Sequence, residues 1–214
     1  MENDKVIFIS GIDTDAGKSY ATGFLAKRLM EDGKRVVTQK FVQTGCKDYS
    51  EDIELHRRIM GTGMLLEDRE RLTMPEIYTY PCSPHLAEEI DHRPIDFARI
   101  EEATKELSRR FDTVLLEGAG GLMVPLTRSL LTIDYVARHG YPLILVTSGR
   151  LGSINHTLLS LEAIQRRGIR LHTVAYNLFP PEEDKIIQRD TQEYIRDYLA
   201  AHFPETEFRL IPCL

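Results

Sequence analysis

The chain has 214 residues, 42% hydrophobic and 28% charged, the make-up of one soluble domain with room for a sizeable core. Its formal net charge of −6 excludes a protein held to nucleic acid by general phosphate neutralisation, which needs a surplus of lysine and arginine. No apolar run approaches the roughly 18 residues of a membrane span, and the short run behind an acidic N-terminus is too brief for a signal-peptide core. The three cysteines, Cys46, Cys82 and Cys213, are scattered without metal-ligand spacing, so reduced thiols in a cytoplasmic protein are expected.

Strand-like and helical patterns alternate along the chain. VIFIS (6–10) reads as a short buried strand. Residues 18–32 place Ala21, Phe24, Leu25 and Leu29 on one helical face, and Gly33 is a natural stop. RVVTQKFV (35–42) predicts a second strand, and a helix is expected over 51–60. IYTY (77–80) is a further strand candidate, halted by Pro81 and Pro84. A charged helix over 96–111 turns Phe97, Ile100 and Leu107 inward, and TVLLEG (113–118) follows as a strand. A helix over 131–140, a strand over 142–148, a helix over 155–167 ending at Gly168, a strand over 171–179 and a helix over 183–202 complete the pattern. The strands starting at 6, 113, 142 and 171 are nearly continuous apolar runs, as in a parallel sheet covered on both faces. No repeat or linker divides the chain, so residues 1–214 are read as a single α/β domain.

The stretch GIDTDAGKS (11–19) lies between the first strand and the first helix. It approaches the phosphate-binding pattern G-x-x-x-x-G-K-[ST], but five residues separate Gly11 from Gly17. Backbone N–H groups and a helix N-terminus there point at an anion. Gly17 permits close approach, Lys18 can reach terminal phosphates, and Ser19 can offer its hydroxyl to a metal ion. Asp13 and Asp15 are unfavourable beside an anion unless a metal or a cationic ligand faces them. Glu117 closes a buried strand and is followed by four small residues, Gly118 to Gly121, which allow a ligand close to the backbone. Taken singly, Glu117 reads equally as a surface acid or cap, Lys40 as a solvated strand end, and Asp52 as an ordinary first-turn acid. His56, His139, His172 and His202 are expected at the surface or at helix ends.

Together these segments resemble the dethiobiotin synthetase family along nearly the whole chain. GIDTDAGKS is similar to that family's G-[TI]-D-T-x-x-G-K-[TS] loop, extra residue included. KFVQTG (40–45), SPHLA (83–87), EGAGG (117–121) and LGSINHTLL (151–159) resemble its further motifs in order, and Asn177 with Pro180 and Pro181 resembles its turn around the base. Phe41 stands where many members have proline.

The resemblance implies a three-layer P-loop NTPase fold with a mostly parallel sheet flanked by helices. It implies an enzyme that uses ATP and Mg²⁺ to close a cyclic urea on 7,8-diaminononanoate with CO2 or bicarbonate. One amine takes up CO2 as a carbamate, ATP phosphorylates the carbamate, and the second amine displaces phosphate. Lys18 and Lys40 are the implied catalytic residues, and Ser19, Asp52 and Glu117 the implied metal set. Asp15, Ala16, Gly17, Lys18, Ser19, Tyr20, Asp52, Glu117, Gly118, Ala119 and Gly120 are implied around the nucleotide, with Asn177, Pro212 and Leu214 toward its base. Thr14 and Thr44 are implied at the diamine or carbamate. Leu151, Ser153 and Asn155 are implied at its carboxylate, across the interface of a homodimer. His85 and His156, inside motifs, are expected to make structural hydrogen bonds. Relatives continue beyond the position of Leu214 to cover the base, so a weak preference for ATP over other triphosphates is expected.

Two other P-loop classes remain in view. Cobyrinate-amidating synthetases normally add a glutaminase domain, for which this chain is too short. ParA/MinD-type switches carry a second lysine near the start of the loop, where this chain has Asp13.

Overall fold

Parallel pairing organises the molecule. The computed structural model describes residues 5–179 and 184–213. In chain order the elements are β1 (Val6–Gly11), α1 (Lys18–Glu31), β2 (Val36–Lys40), β3 (Gln43–Thr44), α2 (Glu51–Met60), α3 (Leu66–Arg69), β4 (Ile77–Tyr78) and α4 (Pro84–Ile90). There follow α5 (Phe97–Arg110), β5 (Thr113–Gly121), α6 (Thr132–His139), β6 (Leu143–Ser148), α7 (Ser153–Arg166), β7 (Leu171–Asn177), α8 (Lys185–His202) and β8 (Glu207–Ile211). The main sheet has the order β2-β5-β1-β6-β7-β8, and each neighbouring pair is parallel.

Period-2 alternation sends each central strand to two cores. Phe8, Val114, Leu116, Leu145 and Val174 face one layer with Ile100, Leu107, Ile133, Leu161 and Ile195 from α5 to α8. Ile9, Leu115, Ile144, Val146 and Ala175 face the other with Ala21, Leu25 and Ala26 of α1 and Met60 of α2. The result is the expected three-layer sandwich. Among the described residues, no helix is long and apolar enough to cross a membrane.

The segment expected as one strand over 35–42 is divided. Lys40 pairs in register with Glu117 at the end of β2. The Phe41 N–H still reaches the Glu117 carbonyl at 2.8 Å, and the chain then leaves to pair β3 with β4. β5 runs further than expected, through the glycines to Gly121, and SPHLA opens α4 with Pro84 in its first turn. β8 carries Glu207 and Arg209 and lacks a strong apolar run, so it escapes the sequence pattern; it is fixed by pairing with β7. α7 starts at Ser153, earlier than expected, behind a left-handed Gly152. The expected start of the last helix, at 183, lies outside the described residues.

α2 is tied to the sheet by a buried polar chain. Arg57 grips Asp68 with two bonds, of 2.9 and 2.7 Å, and donates to Thr38 Oγ1 on β2 at 2.8 Å. Asp68 also accepts from Thr73 Oγ1 and from the Leu65 N–H. Burial would raise the Asp68 carboxyl, but Arg57 and these hydrogen bonds hold it below its ordinary value. A depressed carboxylate contributes stability that is present above its unfolded pKa, about 3.9, and lost as pH falls. We expect Asp68→Asn to cost about 3 kcal/mol at pH 7, because it leaves a buried guanidinium without its charge partner. The difference from the parent chain should shrink as pH drops below about 4. Denaturant unfolding at pH 7 and pH 3.5 checks both; a deficit independent of pH would contradict the role of the charge.

Candidate functional site

The loop from β1 to α1 and the C-terminal ends of β2, β5, β6 and β7 converge on one cavity of about 760 Å³. Gly17 holds φ at 81°, and a Cβ there would lie 2.0 Å from Asn177 Nδ2, so no larger residue fits. It opens α1 with no side-chain cap, which leaves first-turn N–H groups for an anion. Lys18 follows, buried, with its ammonium on the Asp13 and Thr14 carbonyls at 2.9 and 3.1 Å. Burial, reinforced by the nearby Lys40 charge, pushes Lys18 down to about 8. An anion in the loop would give that ammonium a charge partner in place of carbonyl dipoles.

Ser50 caps α2, and this places Asp52 in the first turn facing the loop. Ser19 Oγ lies 2.7 Å from Asp52 Oδ1 and 2.8 Å from Glu117 Oε1. Lys40 is the pivot: its ammonium is 2.6 Å from Asp52 Oδ2 and 2.7 Å from Glu117 Oε1, and it donates to the Gly118 carbonyl at 3.1 Å. It is therefore not a solvated strand end; its side chain is only 6% exposed. Burial opposes its charge, but Glu117 and then Asp52 more than offset this, and Lys40 is raised above its ordinary value. Burial likewise opposes charge on Glu117, yet Lys40 and then His56 hold it well below the usual carboxylate range.

His56 corrects the expectation of a surface histidine. It is fully buried, with Nε2 2.9 Å from Glu117 Oε2 and Nδ1 3.0 Å from Thr38 Oγ1. The signal was its spacing, one helical turn after Asp52, which puts both on the same face of α2. The exposed His172 and His202 and the α6-terminal His139, stacked on Tyr135, are where they were expected. His85 makes its structural bond with Ser83 Oγ at 3.0 Å.

Thr14, Asp15, Gly17, Lys18, Ser19, Tyr20, Lys40, Thr44, Asp52, Ala119, Gly120 and Asn177 all line the cavity. Ala16, Glu117 and Gly118 lie behind it and act through the loop backbone, the Glu117 carboxylate and the Gly118 carbonyl. Leu151, Ser153 and Asn155 are not brought to it: Leu151 is 95% exposed, Asn155 is exposed, and Ser153 is buried against Ser148. Pro212 lines no described cavity, and Leu214 lies outside the described residues, as do Pro180 and Pro181. Asn177 is already engaged, donating to the Ala16 carbonyl at 3.3 Å and accepting from the Phe179 N–H at 3.1 Å.

Arg150 and Phe179, which sequence reasoning passed over, also line the cavity. Arg150 pairs with Asp13, so the chain itself supplies the cation that this loop acid requires. A second cavity, of about 490 Å³, shares Thr14 with the first. Ile12, Leu122, Met123, Val124, Pro125, His156 and Leu159 give it a mainly apolar lining.

A family model described as an AAA domain matches residues 5–207. An ATP-dependent dethiobiotin synthetase BioD 2 of Pasteurella multocida is 50% identical over 207 residues, covering 97% of each chain. One from Haemophilus influenzae is 54% identical over 185 residues, 86% of this chain and 97% of the relative. Among solved structures, the MinC:MinD cell division protein complex of Aquifex aeolicus gives a TM-score of 0.56 at 15% identity, covering 95% of this chain and 79% of the other. Cell division protein FtsY of Thermotoga maritima gives 0.52 at 15% identity, covering 95% and 60%. These two likenesses concern the fold alone.

The two lysines should part company in stability. Lys40→Met leaves Asp52 and Glu117 without their cation, and we expect a loss of about 3 kcal/mol at pH 7. Lys18→Met removes an ammonium that burial already disfavours, and we expect a change below about 1.5 kcal/mol. Urea unfolding of both variants checks this; equal losses would contradict the distinction.

Proposed function

The chain belongs to the ATP-dependent dethiobiotin synthetase family, and from that premise we propose that it joins carbon dioxide to the two amines of 7,8-diaminononanoate, forming dethiobiotin, ADP and phosphate. The observation that carries this reading is the adjacency of two cavities of opposite character that share Thr14 in their linings. One is lined by loop, lysines and acids suited to a triphosphate. The other is apolar and suits the aliphatic chain of a diamino acid.

The reaction brings two anions, a carbamate and a triphosphate, into contact. Preorganised positive charge in a water-poor pocket lowers the barrier to that approach. Lys18 and the first-turn N–H groups of α1 take the phosphates. Lys40, fixed between β2 and β5, faces the carbamate, and Thr44 donates to it. The carbamate oxygen attacks the γ-phosphorus and ADP leaves. The free amine then attacks the carbamoyl carbon and expels phosphate. Ser19, Asp52 and Glu117 offer one hydroxyl and two carboxylates, an all-oxygen set that fits Mg²⁺. Both carboxylates already lie within hydrogen-bond distance of the Ser19 hydroxyl. Bound there, the ion would neutralise phosphate charge.

Leu151, Met123 and Leu159 are exposed apolar residues, 95%, 54% and 58% accessible, near the second cavity or at the α7 N-terminus. A homodimer that covers them would bring the N–H groups at the start of α7, with Asn155, to the substrate carboxylate of the other subunit. Sedimentation of the active enzyme should give a dimer; a fully active monomer would contradict this.

The base is held loosely in this reading. After its bonds to Ala16 and Phe179, Asn177 keeps a single N–H and a single lone pair for the base, and strong discrimination requires more buried polar groups that the wrong base leaves unpaired. We expect ATP to be preferred over GTP or CTP by about tenfold or less, about 1.4 kcal/mol. The kcat/KM for each triphosphate at saturating diamine decides it, and a preference above a thousandfold would contradict it.

ADP release should depend on both the diamine and bicarbonate, and Lys40→Ala should lose at least about a hundredfold in rate. ADP release indifferent to the diamine would instead indicate an ATPase switch.

A further inference from the structure

We propose that His56 is a positioning residue that fixes which oxygen of Glu117 faces the nucleotide cavity, and that a buried chain Asp68–Arg57–Thr38–His56 sets the ring for that task. The inference rests on the reading of Ser19, Asp52 and Glu117 as a magnesium set and extends it to residues that touch neither metal nor nucleotide.

The hydrogen-bond directions carry the argument. Arg57 has only donors, so Thr38 Oγ1 accepts from Arg57 Nη1 at 2.8 Å. The Thr38 hydroxyl keeps its own hydrogen and lies 3.0 Å from His56 Nδ1. Nε2 faces the Glu117 carboxylate, which only accepts, so a ring hydrogen sits on Nε2. Nε2 then donates to Glu117 Oε2 at 2.9 Å. The opposite tautomer would turn a lone pair toward a carboxylate. Arg57 is itself held by the two bonds it donates to Asp68, so each member has its orientation fixed by the one before.

The consequence is at Glu117. With Oε2 occupied inside the protein, Oε1 alone meets Ser19 and Lys40. The carboxylate is committed to one rotamer and to single-oxygen contact with the cavity. α2 delivers both parts, since Asp52 approaches the site and His56 braces its partner acid from one turn further on. Outer partners of metal-binding carboxylates typically change metal affinity 10–100-fold when lost.

Isothermal titration of a non-hydrolysable ATP analogue, with and without Mg²⁺, tests this without turnover. In the parent chain Mg²⁺ should tighten binding. His56→Leu should cut that enhancement by about tenfold while metal-free affinity stays unchanged. His56→Gln, which can present an N–H near the position of Nε2, should recover most of it. Thr38→Val, which keeps the shape but removes the hydroxyl, should lower it by a smaller factor, and it carries the test should His56→Leu fail to fold. An unchanged Mg²⁺ enhancement in His56→Leu, or in Thr38→Val if it must stand alone, would overturn the proposal. So would a Gln variant as poor as Leu. No Mg²⁺ enhancement in the parent chain would overturn the metal reading itself, and this proposal with it.

Discussion

The site depends on one buried ammonium. Lys40 stands between Asp52 and Glu117, where three elements would otherwise bring two carboxylates and a phosphate-binding loop together with no charge to separate them. Like charges at such distances cannot both remain ionised in a poorly solvated pocket. The lysine resolves this, and in doing so joins β2 to β5, and β5 through Glu117 to α2 and the Ser19 end of the loop. The sheet order matters here. β5 lies between β1 and β2, so the residue that closes β5 falls between the loop that follows β1 and the lysine that closes β2. The acids are held ready by a cation that is part of the protein.

Much of this was legible in the sequence, because its causes are local. Four apolar runs announced a buried parallel sheet, and a glycine-lysine-serine turn between strand and helix announced an anion site. What sequence left open was decided by tertiary contact. Lys40 and Glu117 each read alone as a surface charge, and only their register across β2 and β5 makes them a pair. His56 looked like a surface residue because its partners, Glu117 and Thr38, lie 61 and 18 positions away. Asp13 asked for a cation, which proved to be Arg150, 137 positions on. β8 lacked a clear pattern because an edge strand with charged residues needs its neighbour to define it.

The fold is shared with the MinC:MinD complex and FtsY at 15% identity, and a fold alone does not set the chemistry. The discriminating feature is local. The loop carries Asp13 near its start, and Arg150 is committed to that acid. Asp13 with its partner Arg150 sets the charge at this end of the loop, beside a mainly apolar cavity that Asp13 and Thr14 also line. Function on this fold follows the placement of a few charges.

In the proposed reaction a carbamate oxygen, steadied by Lys40, attacks the terminal phosphorus of ATP. This makes an isotopic demand. A short reaction with oxygen-18-labelled bicarbonate, the diamine and unlabelled ATP should yield inorganic phosphate that carries one oxygen from bicarbonate, read by mass spectrometry. Phosphate whose new oxygen comes only from water would mean that the site hydrolyses ATP without passing through a carbamoyl phosphate, and would contradict the account.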